Sequence, residues 1–88
     1  MSKTILITGC SSGIGYASAK MLKAKGWRVF ATARKDADII RLEGEGLEVF
    51  RLDYAEPITI SECVAEIAER TQGKLFALFN NGAYGQPG

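Results

Sequence analysis

The chain has 88 residues, 47% of them hydrophobic and 24% charged, and carries a formal net charge of +1. That length accommodates one domain and excludes two, while near-neutral, interspersed charge gives no electrostatic case for nucleic acid or an anionic membrane as a partner. No apolar run approaches the roughly 20 residues of a membrane span, and Met1-Ser2-Lys3 leads directly into a strand with no room for a signal peptide, so a cytoplasmic location is expected.

Thr4 to Thr8 is an unbroken, β-branched apolar run, the pattern of a strand covered on both faces. A glycine-rich turn from Gly9 to Gly15 follows. Beyond it, Ile14, Ala17, Met21 and Leu22 recur at helical spacing, and Gly26 is placed to end that helix. Arg28 to Ala33 reads as a second strand. Asp36 is a candidate cap for a short helix with Ile39, Ile40 and Leu42 inward, stopping near Gly44 or Gly46. Leu47 to Leu52 makes a third strand. Ile60, Cys63, Val64, Ile67 and Ala68 form one stripe of a third helix, for which two starts compete: Pro57 as first residue, or Thr59 with Glu62 as a capping box. Gln72-Gly73 closes it, Leu75 to Phe79 is a fourth buried strand, and Asn80 to Gly88 is loop.

Strand alternating with helix implies an α/β fold of parallel strands joined by right-handed crossovers. The doubly wound, Rossmann-type solution orders the strands 3-2-1-4 and places a switch point between strands one and four. Gly9 at the tip of strand one and Asn80 at the tip of strand four then face one crevice.

Thr8-Gly9-Cys10-Ser11-Ser12-Gly13-Ile14-Gly15 joins the first strand to the first helix. Gly9 allows the sharp turn, Gly13 lets backbone approach a diphosphate, and Gly15 lets helix pack close on sheet. Amides at the helix start, with the helix dipole behind them, receive the anion. No Gly-Lys-Ser/Thr ends the turn, which excludes a P-loop. At the end of strand two, an acidic residue would accept from both adenosine ribose hydroxyls and repel a 2′-phosphate. Here Thr32-Ala33-Arg34-Lys35 stands instead: Ala33 clears the space and Arg34 offers a planar fork to a phosphate dianion. This favours NADP(H) over NAD(H).

The glycine turn resembles the Thr-Gly-x-x-x-Gly-x-Gly signature of the short-chain dehydrogenase/reductase family, and with Ala-Thr-Ala-Arg it looks most like the NADP-preferring, hydroxysteroid-dehydrogenase-like members. Leu52-Asp53 resembles the family's Leu-Asp pair, which implies that the Asp53 carboxylate accepts from the adenine amino group while the Tyr54 amide reads the ring. Asn80-Asn81-Gly82-Ala83 resembles the family's Asn-Asn-Ala-Gly with the last two residues exchanged. The backbone of Asn81, Gly82 and Ala83 is accordingly expected beside the nicotinamide ribose, and Asn80 is expected to brace the sheet. The resemblance implies that Gly9, Ser11, Gly13, Ile14 and Gly15 cradle the diphosphate and adjoining ribose, with Ser12 as a further contact. It covers the whole chain, so that residues 1–88 are expected to form the N-terminal portion of a dinucleotide-binding domain.

Family chemistry is hydride transfer between nicotinamide and a carbonyl or alcohol, using a Tyr, a Lys, a Ser and an Asn that all lie beyond strand four. None is expected within this chain. Tyr16-Ala17-Ser18-Ala19-Lys20 has the Tyr-x-x-x-Lys spacing but falls on the diphosphate side of the coenzyme, where Tyr and Lys four apart on a helix make a surface pair. The sequence contains no histidine, which excludes Ser-His-Asp and Cys-His nucleophile systems. Cys10 and Cys63 fit a reducing compartment without disulfides and cannot alone complete a zinc tetrahedron. Ending at strand four leaves that strand as an apolar edge, from which marginal stability and self-association are expected. Three readings follow: the coenzyme half of an NADP(H)-dependent oxidoreductase, inactive alone; a non-catalytic NADP(H)-binding or interaction module from a shortened gene; or a fragment of an ordinary longer enzyme.

Overall fold

The computed structural model describes residues 3–11, 13–74 and 77–79. Thr4–Ile7 forms β1 with every side chain buried, as the unbroken apolar run requires. Gly13–Ala24 forms α1, Arg28–Ala33 β2, Asp36–Gly44 α2, Glu48–Arg51 β3, Pro57–Thr71 α3 and Ala77–Phe79 β4. Among the described residues the strands make one sheet in the order β3-β2-β1-β4, parallel throughout: Ile5 pairs with Val29 and with Ala77, and Ala31 with Val49. This is the doubly wound arrangement that alternating strands and helices imply.

Alternation along the strands divides the core. Ile5, Ile7, Val29, Ala31 and Ala33 point to one face, where Ala19 of α1 and Leu42 of α2 cover them. Leu6 and Phe30 point to the other and meet Cys63 and Ile67 of α3. Phe30 is fully buried, its ring 5.8 Å from that of Phe50.

Several local expectations are corrected. Of the stripe expected to bury α1, Leu22 packs against the core, but Ile14 is 70% and Met21 51% exposed, and Ala17 is exposed too. Gly15 and Ala19 face the sheet instead, because small side chains at i and i+4 let the helix axis close on the strands. In α2, Leu42 is buried and Ile39 half-buried, three residues apart on one face, while Ile40 turns outward at 68% exposure. Asp36 does not cap this helix. Lys35 holds the N-cap position without a side-chain bond, and Asp36 is the first helical residue, where its carboxylate meets the positive end of the dipole.

Pro57 starts α3, its missing N–H costing nothing in the first turn. Thr59 is therefore inside the helix, buried, with its Oγ1 2.7 Å from the Glu56 carbonyl and accepting the Asp53 N–H at 2.9 Å. Cys63 and Ile67 of the expected stripe are buried, Ile60 is half-buried, and Val64 and Ala68 are exposed. Leu47 and Leu52 flank β3 rather than belonging to it, although the Leu52 N–H still reaches the Ala33 carbonyl at 3.1 Å. Leu75, Phe76 and the loop from Asn80 lie outside the described residues.

At the far end from the glycine turn, Glu48 gathers β2, β3 and α3. It accepts from Arg28 Nε at 2.6 Å, Arg28 Nη2 at 3.0 Å and Arg70 Nη1 at 3.2 Å. The Arg28 guanidinium beside it, reinforced by Arg70, holds the Glu48 carboxyl below its ordinary value of 4.5. A carboxyl lowered in the folded state contributes stability that is present above the unfolded value and lost as pH falls through the folded one. Melting temperature is therefore expected to drop on acidification below about pH 4.5, and Glu48→Gln to flatten that dependence. Thermal melts of both proteins between neutral and acid pH check this.

Candidate dinucleotide site at the strand ends

The turn after β1 is tied to the two neighbouring strands. Thr8 N–H donates to the Phe79 carbonyl at 3.1 Å and Cys10 N–H to the Thr32 carbonyl at 2.9 Å. Gly9 N–H reaches Thr32 Oγ1 at 3.2 Å. Gly9 itself sits at φ +67°, a left-handed conformation that costs a side-chain-bearing residue about 1–2 kcal/mol. The scaffold thus consumes the N–H groups of Thr8 to Cys10. The first turn of α1 still carries leading amides that have no intrahelical acceptor. No acidic residue stands in that turn, so its positive end is not offset by a carboxylate. Gly13, also left-handed at φ +67°, faces open space: a Cβ there would meet nothing within 4 Å.

Cys10 lies in the middle of the turn but is fully buried, its thiol donating to the Ile7 carbonyl at 3.1 Å. Burial raises this thiol to about 11, so it stays protonated at physiological pH and lacks the thiolate a nucleophile needs. In the native protein at pH 8, Cys10 is expected to resist alkylation at least about tenfold longer than in the denatured chain; mass-mapped iodoacetamide labelling checks it.

A cleft of about 470 Å³ opens between this turn and the ends of β2 and β3. Gly9 and Ser11 form one wall, Thr32 to Lys35 with Asp38 a second, and Leu52 to Ala55 the third. Ala33 is buried at the cleft's side, so nothing bulky projects from the position where an acidic residue would stand. Four of the five arginines are engaged: Arg28 and Arg70 with Glu48, Arg41 with Asp38, and Arg51 with Glu56. Among the described residues the Arg34 guanidinium has no hydrogen-bond or ion-pair partner. Its backbone is fixed, since Arg51 Nε donates to the Arg34 carbonyl at 3.2 Å. At the third wall, Asp53 Oδ1 accepts the Ala55 N–H at 2.9 Å and the Asp53 N–H goes to Thr59. That closed turn orients the carboxylate before any ligand arrives.

The structure therefore gathers Gly9, Ser11, Arg34, Asp53 and Tyr54 around one cleft. Gly13, Ile14 and Gly15 stand in the first turn of α1 and do not line it: Ile14 is exposed and Gly15 buried against the sheet. Ser12, Asn81, Gly82 and Ala83 lie outside the described residues. Sequence reasoning missed the Thr32 hydroxyl as an anchor of Gly9 and missed Asp38 as part of the wall. Asp38 and Arg41 stand three apart in α2, a spacing that does signal a helical ion pair.

Tyr16 and Lys20 do not approach the cleft. The Tyr16 hydroxyl donates to Glu45 Oε1 at 2.8 Å and Lys20 Nζ is 3.1 Å from the same oxygen. The hydrogen bond to Glu45 raises the Tyr16 phenol above its ordinary value. A catalytic tyrosine needs the opposite shift.

The family model of the short chain dehydrogenases matches residues 3–88. The chain belongs to the short-chain dehydrogenase family. Among relatives, it is 46% identical over 83 residues to the short-chain dehydrogenase cctT of Talaromyces islandicus, covering 92% of this chain and 29% of that one. It is 39% identical over 88 residues to the oxidoreductase YbbO of Escherichia coli K12, covering 100% of this chain and 33% of that one. It thus spans about a third of the length of these short-chain dehydrogenase relatives. Among solved structures, a variant of the actinorhodin polyketide ketoreductase with NADPH superposes with a TM-score of 0.77 at 34% identity, covering 99% of this chain and 34% of that one. Membership brings the expectation of a nicotinamide dinucleotide, and no helix among the described residues is long and apolar enough to cross a membrane.

Proposed function

We propose that this chain is the coenzyme-binding part of an NADP(H)-dependent short-chain oxidoreductase that interconverts a carbonyl and an alcohol. The observation that carries the coenzyme preference is the Arg34 guanidinium, unpartnered among the described residues on the wall of a cleft where Ala33 replaces an acid. The residues fit the group: Gly13 leaves open space at the start of α1, and the cleft carries a cation unpartnered among the described residues and an oriented carboxylate. The presence of NADPH on the similar ketoreductase supports the same reading. When bound, the coenzyme supplies a hydride or accepts one.

This chain's own residues then divide the work. Ser11 and the α1 amides at Gly13, Ile14 and Gly15 take the diphosphate, with Gly9 shaping the turn. Arg34 takes the 2′-phosphate in bidentate fashion. Asp53 and the Tyr54 amide read the adenine, and Ser12 with the Asn81–Ala83 backbone completes the ribose contacts. Tyr16 is committed to Glu45, which favours a second statement: these 88 residues bind coenzyme but do not by themselves deliver a proton to a carbonyl. The exposed apolar side chains Val64 and Leu78, which line one apolar groove, together with β4 at the end of the sheet, favour association through that edge. Calorimetric titration tests the coenzyme reading: NADPH is expected to bind at least about tenfold more tightly than NADH, and equal affinities would remove the preference.

A further inference from the structure

We propose that Arg41 is a positioning residue for the coenzyme's diphosphate, acting from α2 by holding the Ser11 carbonyl of the glycine turn. The inference rests on the cleft being a dinucleotide site. Among the described residues, the turn's strand-side ties stop at Cys10, which is bonded to Thr32. Ser11, the next residue, lines the cleft and is bound from the opposite side: Arg41 Nη2 donates to its carbonyl at 2.6 Å, across thirty residues of sequence. Arg41 is itself fixed by Asp38 Oδ1 at 3.5 Å and lies over the Tyr16 ring, 5.3 Å from its centroid.

Two physical effects follow from that one bond. A carbonyl engaged by a guanidinium is aimed at the helix that carries the cation, so its negative end is withheld from an approaching diphosphate. The same bond fixes the Ser11 carbonyl in advance, and ordering of a loop residue is part of what binding otherwise costs. Arg34 and Arg41 thus have separable duties: Arg34 faces the group that distinguishes the two coenzymes, and Arg41 sets a turn that serves what both share.

The test is calorimetric titration of the full-length protein with NADPH, NADH and ADP, comparing Arg41→Met, Arg41→Lys and, as a stability control remote from the turn, Glu48→Gln. Arg41→Met is expected to weaken all three ligands by a common factor of about ten, with most of the loss recovered in Arg41→Lys, whose ammonium still donates to one carbonyl. Glu48→Gln is expected to lower the melting temperature and leave all three affinities unchanged. Loss confined to NADPH would assign Arg41 to the 2′-phosphate and overturn the positioning role. Unchanged affinities with a lowered melting temperature would make Arg41 a packing residue and overturn it equally. Wild-type protein that binds none of the three ligands would remove the coenzyme reading itself, a result distinct from either.

Discussion

Replacing Gly13 by valine is expected to weaken dinucleotide binding at least a hundredfold while leaving the protein folded. The two halves of that outcome have separate causes. Gly13 sits at φ +67° with open space where a Cβ would project, so the first side-chain carbon of valine has room and the cost to the fold is the left-handed strain, about 1–2 kcal/mol. The ligand loses more. A branched side chain at the start of α1 keeps the diphosphate from amides that have no other acceptor. Losing two charge-assisted hydrogen bonds at about 1.5–3 kcal/mol each exceeds a hundredfold in affinity. Gly13→Ala is expected to fall between. Calorimetric titration alongside a thermal melt separates the effects, and a valine variant that binds like wild type would place the diphosphate elsewhere.

Arg34→Ala is expected to reduce NADPH affinity by about tenfold to a hundredfold, with NADH changed less than about twofold. The guanidinium has no partner to lose among the described residues, so removing it strands no carboxylate, and the folded protein is expected to be nearly as stable as before. This contrasts with Arg28, whose removal would leave the Glu48 carboxylate to Arg70 alone. With Arg34 proposed to meet a dianion, NADPH affinity in the wild type is also expected to fall with added salt more steeply than NADH affinity, and Arg34→Ala to erase that difference.

What the sequence revealed and what it hid follow from the reach of each signal. The places of the glycine turn and of Ala33-Arg34 at the strand end were legible because both are local: a backbone conformation and a side chain placed by the end of one strand. Helix faces were read less well. Periodicity shows that α1 has an apolar stripe through Ile14 and Met21, but Gly15 and Ala19 win the sheet because close approach rewards small residues. Thr59 resembles a cap in sequence, yet Pro57 starts the helix earlier and the threonine hydroxyl is spent on Glu56 and Asp53. The ties that stiffen the site were out of reach. Thr32 to Gly9 and Arg41 to Ser11 join residues 23 and 30 apart, and no local pattern specifies such partners.

The most direct measurement is a crystal structure of the protein with NADPH. The diphosphate should lie against the first turn of α1 over Gly13, with the 2′-phosphate in bidentate contact with the Arg34 guanidinium. A dinucleotide bound away from that helix end, or one whose 2′-phosphate points into solvent with Arg34 turned aside, would contradict the account.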